Sequence, residues 1–109
     1  MKVIRTTIVQ PRDGHQREVA GLLRELNDYL AKQPGFVGGY VLEGDVEGET
    51  LGKIGVWESK GAADHAASQP HTIALRARLQ ALTESERRES LFEVVSEHGL
   101  SPSHSPVTA

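Results

Sequence analysis

Cysteine is absent from the 109 residues, which removes disulfides, thiolate nucleophiles and cysteine-ligated metal from consideration. Aromatic residues are scarce: one tryptophan, two tyrosines and two phenylalanines. Neither sign of charge is in large excess, with 12 Lys and Arg against 15 Asp and Glu for a net charge of -3, and the charges are interspersed. A nucleic-acid binder needs a basic stripe and a membrane-surface protein a polybasic patch, so neither nucleic acid nor membrane is expected as a partner. No apolar run approaches the roughly 18 residues of a membrane span. The opening segment MKVIRTTIVQ carries a lysine but neither an apolar h-region nor a small-residue cleavage site, so it does not read as a signal peptide. The expectation is a soluble cytoplasmic protein with one domain, long enough to bury a modest core.

What is present centres on residues 34–57, PGFVGGYVLEGDVEGETLGKIGVW. A Pro34-Gly35 turn releases an apolar run from Phe36 to Leu42. A charged, glycine-bearing loop returns it as a second run from Leu51 to Trp57. This predicts a β-hairpin with a longer loop. Simple alternation sets Phe36, Tyr40 and Leu42 against Val37 and Val41, and Ile54 and Val56 against Leu51 and Trp57. Both faces are apolar, whereas a strand wet on one side alternates apolar with polar. Both faces of the sheet therefore need cover.

Before the hairpin, Lys2 to Gln10 is β-branched and apolar around Arg5, and Pro11 ends it. Asp13 is placed as an N-cap, with Gln16 completing a capping box. Val19, Leu22, Leu23, Leu26, Tyr29 and Leu30 then recur at helical spacing to about Gln33. After the hairpin, Ser59 caps a short alanine-rich helix through Ala67. Gln69-Pro70 interrupts it, and a second piece starts near Pro70 and runs to about Leu82. SLFEVVS, residues 90–96, reads as a last strand. The domain is expected over residues 1–97. Residues 98–109, with two Ser-Pro pairs and little to bury, are expected to be a flexible tail.

The order β-α-β-β-α-β is that of the ferredoxin-like α+β fold, a four-stranded antiparallel sheet with its helices on one face. Nothing else in the chain is available to cover the other face, and its apolar residues point to a two-fold partner laying an equivalent sheet against it. The segments PGFVGGYVLEG, VWES before a helix start, HAASQPH before the last long helical piece, and the closing LFEVV resemble the antibiotic biosynthesis monooxygenase superfamily, the dimeric α+β barrels. The resemblance covers roughly residues 1–97. It implies a homodimer and a small enzyme that oxidises an electron-rich phenol or quinol without any cofactor. A non-catalytic dimeric barrel that binds a small hydrophobic molecule or serves a stress response is the alternative, since fold does not settle function.

Candidate chemistry falls on few residues. His65 and His71 flank the helix break, and a histidine beside a cavity is apt as general acid or base. As metal ligands they are six apart with no evident carboxylate third ligand, against the three or four of a one-helix site, so no metal is expected. Arg5, within an apolar strand, must be paired if buried, across the sheet or dimer or with a ligand anion. Trp57 and Phe36 are candidate cavity walls or core anchors. Tyr40 and Thr7 are candidate hydrogen-bonding groups toward a phenolic substrate. Gly38, Gly39, Gly52 and Gly55 mark strand curvature, a bulge or room inside the barrel. The loop over residues 44–49 is too acidic to cradle phosphate. The heme-degrading branch resembled by this family places asparagine, tryptophan and histidine where this chain has Thr6 or Thr7, His65 and Leu75, so heme is not expected.

Overall fold

The computed structural model describes residues 1–46, 48–84 and 88–99. Strand β1 (Val3–Val9) is followed by helix α1 (Gln16–Leu30) and the hairpin β2 (Phe36–Glu43) and β3 (Leu51–Trp57). The broken helix comes next as α2 (Lys60–Ala67) and α3 (Pro70–Leu82), and β4 (Arg88–Glu93) closes the sheet. All pairings are antiparallel in the order β2-β3-β1-β4. The ferredoxin-like α+β architecture expected from the sequence is present.

Local chemistry accounts for most boundaries. The Ser59 hydroxyl accepts the Ala62 amide, 3.1 Å, and opens α2. Gln69 is extended before Pro70, as a residue preceding proline prefers, and the chain restarts as α3. The buried Thr72 hydroxyl donates to the Ala66 carbonyl across the break, 2.8 Å, so the two pieces are pinned to each other.

The start of α1 departs from the expected capping box. Gly14 turns the chain at φ +85°, and the His15 amide donates to the Arg12 carbonyl. Asp13 is consumed in that turn, and His15 becomes the N-cap without a side-chain cap bond. Strand β4 also ends earlier than expected: its partner β1 starts at Val3, opposite Glu93, and beyond it the Val94 amide still donates to the Lys2 carbonyl at 2.9 Å.

A bulge between Phe36 and Gly38 corrects the face assignment of β2. Strict alternation would keep Phe36 with Tyr40 and Leu42. The extra residue instead turns Phe36 toward the helices, opposite Trp57, on the same side as Gly39 and Val41. Tyr40 and Leu42 lie on the other face, with Ile54, Val56 and Phe92. The helices cover one face only. Val19, Leu22, Leu23, Leu26 and Leu30 of α1 and Leu75 and Leu79 of α3 meet Val3, Val9, Leu51 and Trp57 there. On the uncovered face Tyr40 is 63% and Phe92 55% exposed.

Gly35 joins the two halves. It has φ +84°, its carbonyl accepts the Glu58 amide at 2.8 Å, and a Cβ built there would lie 2.4 Å from Ala62 Cβ. Gly35→Ala is expected to cost about 2–4 kcal/mol, adding left-handed strain to overpacking. Urea unfolding would show this, whereas Gly21→Ala, which meets open space, should stabilise or be neutral.

Candidate functional site

The register sets out the sheet face beneath the helices row by row. Phe36, Trp57 and Val3 form one row; Gly39, Gly55, Arg5 and Leu91 the next; Val41, Lys53, Thr7 and Glu89 the third. The middle row brings two glycines side by side, and polar groups rest on both. A Cβ on Gly55 would lie 3.0 Å from Trp57 Nε1 and 3.2 Å from Lys53 Nζ. A Cβ on Gly39 would lie 2.4 Å from Asn27 Oδ1 and 3.0 Å from Phe36 Cζ. Phe36 and Trp57 meet edge to face at 5.3 Å, forming one wall.

Lys53 is the least expected member. The alternation of β3 puts it on the helix side between Leu51 and Gly55, and it is 5% exposed. Burial, then the charges of Arg76 and Arg5, push its ammonium down from 10.5 to about 8. Both arginines are paired. Arg5 Nη2 donates to Asp64 Oδ1 of α2 at 2.9 Å, so its partner is a helix and neither the sheet nor another subunit. Arg76 of α3 pairs with Glu89 of β4. Asp64 is also held by Lys60 at 2.7 Å, and the Lys60 hydrogen bond first, then that of Arg5, lowers its carboxyl below the usual value. Among the described residues no carboxylate lies within ion-pairing distance of Lys53. Among the described residues, Lys53, Arg5 and Arg76 thus meet Asp64 and Glu89 in this layer, with Asp64 shared with Lys60. Asn27 Oδ1 is buried without a hydrogen-bond partner among the described residues and stands over Gly39.

Of the residues singled out from sequence, Arg5, Thr7, Phe36 and Trp57 come together here. Tyr40 lies on the uncovered face. His65 and His71 are exposed on the helices: His65 Nε2 is 3.2 Å from Gln69 Nε2, and the His71 ring lies tilted against Tyr29, 4.5 Å between centroids, with Glu25 at 3.9 Å. Sequence reasoning missed Lys53, Arg76 and Asn27. Lys53 carried a readable signal, a lone charge inside LGKIGVW with the parity of Leu51 and Trp57. Arg76 and Asn27 sit on helix positions that look like ordinary polar surface.

An open groove of about 860 Å³ lies elsewhere, between the first half of α1 and β2. Its charged residues, Arg17, Arg24 and Glu43, are all exposed. Among the described residues no three His, Asp or Glu side chains converge as a metal site, and no helix is long and apolar enough to cross a membrane.

A ferredoxin-like sheet with helices on one face, and a cationic cluster buried between the layers, defines a small α+β protein. The chain belongs to the antibiotic biosynthesis monooxygenase family, whose sequence profile matches residues 3–78. No functionally curated protein matches the sequence. Among solved structures it is similar to SnoaB from Streptomyces nogalater, a cofactor-independent oxygenase: 23% identity, TM-score 0.78, covering 89% of this chain and 96% of that one. It is also similar to Rv0793 from Mycobacterium tuberculosis, at 18% identity and TM-score 0.83, covering 91% of this chain and all of that one. These likenesses speak to the fold.

Proposed function

We propose that this protein is a cofactor-independent monooxygenase of a small phenolic or quinol-type aromatic, acting between helices and sheet. The observation that carries the reading is the placement of Lys53, Arg5, Thr7 and Trp57 in one buried layer against the glycine pair. Such a substrate supplies its own electrons. A ring carbon bearing hydrogen becomes a quinone carbonyl, one oxygen atom of O2 enters that carbonyl, and the other leaves as water with the two hydrogens the substrate loses. The protein has to exclude water, hold the ring and stabilise the phenolate from which electrons depart. Lys53 and Arg5 supply positive charge, Thr7 and Trp57 are hydrogen-bond donors, and Phe36 and Trp57 form the wall. His65 and His71 are candidates to carry the phenolic proton to solvent.

A second part of the proposal is that the uncovered face, with Tyr40 and Phe92, is closed by a second copy. Sedimentation at micromolar concentration is expected to give twice the 11.9 kDa chain mass, and a monomer would refute that part.

Activity is expected as dioxygen uptake with a polycyclic phenol or hydroquinone in chelator-containing buffer, with one O2 consumed per quinone formed and no peroxide released. Separate His65→Ala and His71→Ala variants test proton transfer, with about a 100-fold loss or more expected if one of them is the base. Uptake that yields peroxide in place of oxygenated product, or no turnover across a broad phenol panel, would count against the oxygenase reading and favour a binding role.

A further inference from the structure

The groove between the first half of α1 and β2 plays no part in the layer beneath the helices. Its volume, about 860 Å³, falls in the range of small-molecule sites, about 300–1,000 Å³. The floor is apolar: Ala20 of α1 and Val41 of β2 are half-buried against the core, and Leu51 of β3 is buried beside them. The hairpin loop fixes one end. Its Gly48 amide donates to the Glu43 carboxylate at 3.1 Å. A Cβ on Gly48 would lie 3.0 Å from Gln16 Cγ, so the loop backbone rests directly on the first residue of α1.

Arg17 and Arg24 line the same groove, with Ala20 between them along the helix. Their positions are two turns apart, about 10 Å along the axis, so two arginine side chains can turn toward one anion between them. Neither arginine has an ion pair or hydrogen bond among the described residues. Helix neighbours do not neutralise them. Asp28 stands four residues beyond Arg24, a spacing at which helix ion pairs form, yet the two are not paired. Glu18, next to Arg17, is taken by His15 at 3.0 Å. The one carboxylate on the groove is Glu43, already engaged by the loop amide. Two unpartnered cations beside an apolar floor complement an anion with an apolar body, and the planar guanidinium matches a carboxylate in particular.

We propose that this groove binds a small organic monocarboxylate with a flat apolar body. The body rests on Ala20, Val41 and Leu51, and the carboxylate lies between Arg17 and Arg24. Glu43 at the loop end repels a second anionic group, which limits the ligand to one charge. A neutral ligand of the same shape keeps the floor and loses the charge-assisted contacts. This site lies outside the buried layer and stands independently of the oxygenase reading.

The probes are 2-naphthoate and its neutral isostere 2-naphthamide, titrated into the full chain at neutral pH, where an ordinary carboxyl is ionised. Naphthoate is expected to bind wild-type protein at least about 10-fold more tightly than the amide, as charge-assisted contacts require. Added salt should weaken naphthoate and leave the amide unchanged. Amide NMR shifts should move at Gly14, Val41 and Gly48, which line the groove. Arg17→Gln and Arg24→Gln should each reduce the preference, and the double variant should abolish it; both positions are exposed, so the fold should persist. Ala20→Glu places a carboxylate at i+3 from Arg17 and i−4 from Arg24, and should displace naphthoate without loss of thermal stability. Equal affinity for the two probes, or no saturable binding of naphthoate, would overturn the proposal in wild type alone. A preference that survives the double arginine variant, or shifts confined to the uncovered sheet face, would overturn it as well. Dioxygen uptake with a phenol is measured separately, so failure of this site leaves that reading standing, and the reverse.

Discussion

Replacing Lys53 with methionine is expected to make the protein more stable and to lower kcat/KM for an ionisable phenol by about 100- to 1,000-fold. The rate effect follows from removing a fixed donor at a developing oxyanion. The stability effect follows from burial. Lys53 has a folded value of about 8 against 10.5 when exposed, so below pH 8 the folded state holds a charge that the unfolded chain holds more comfortably. At about 1.36 kcal/mol for each pH unit, that difference is worth roughly 3 kcal/mol against folding near neutrality. Between about 8 and 10.5 the unfolded chain binds more protons than the folded one, so wild-type stability rises with pH in that window. Methionine has similar length and no charge to desolvate, and exchanging a buried ion for an apolar isostere is often neutral or stabilising. Urea unfolding should thus show Lys53→Met ahead of wild type near pH 7 and the gap closing toward pH 10.5. A methionine variant less stable than wild type at neutral pH would mean that Lys53 has a stabilising partner in the fold. A more stable variant with unchanged turnover would mean that burial is all there is to Lys53.

The largest loss of stability is expected from Leu23→Ala. Leu23 has no exposed surface and lies on the stripe of α1 facing β2, β3 and α3. Truncation there removes transfer free energy and leaves a cavity, together about 2–5 kcal/mol, a large part of the 5–15 kcal/mol typical of such a domain. The midpoint of thermal unfolding should fall by more than about 10 °C. Tyr40→Ser on the uncovered face is the contrast. It should change the folding of an isolated chain little, and in a dimer its effect should grow on dilution as mass action requires. A Leu23→Ala loss under about 1 kcal/mol would mean that α1 is not the main cover of the sheet.

Much of this fold was legible along the chain because the signals are local. The leucine spacing of α1 required a helix with one buried face, Pro70 divided the second helix, and β-branched runs bounded by Pro11, Pro34 and Gly35 marked strands. Errors arose where one residue changed a phase. Gly14 spent Asp13 in a turn, and the bulge at Phe36 and Gly38 moved Phe36 to the opposite face, since side chains in a strand repeat every two residues. Tyr40 was placed correctly in β2, but its face was decided by that bulge.

The sequence by itself determined the order of elements, the amphipathic cover of one sheet face and the apolar character of the other, because periodicity and turn chemistry act over a few residues. It also narrowed the chemistry by omission, having no cysteine and no basic stripe. Only the tertiary structure decided which polar residues share a volume. Lys53, Trp57 and Gly55 are near neighbours in β3, but Arg5 arrives from β1, Arg76 from α3 and Asn27 from α1. Their meeting depends on strand register and on where two helices cross the sheet. Those are long-range quantities, fixed by packing the leucine core and unreadable from any one segment. The histidines that looked chemical in sequence are, for the same reason, on the outer surfaces of α2 and α3, while a lysine in a strand has its ammonium pushed down to about 8 by burial.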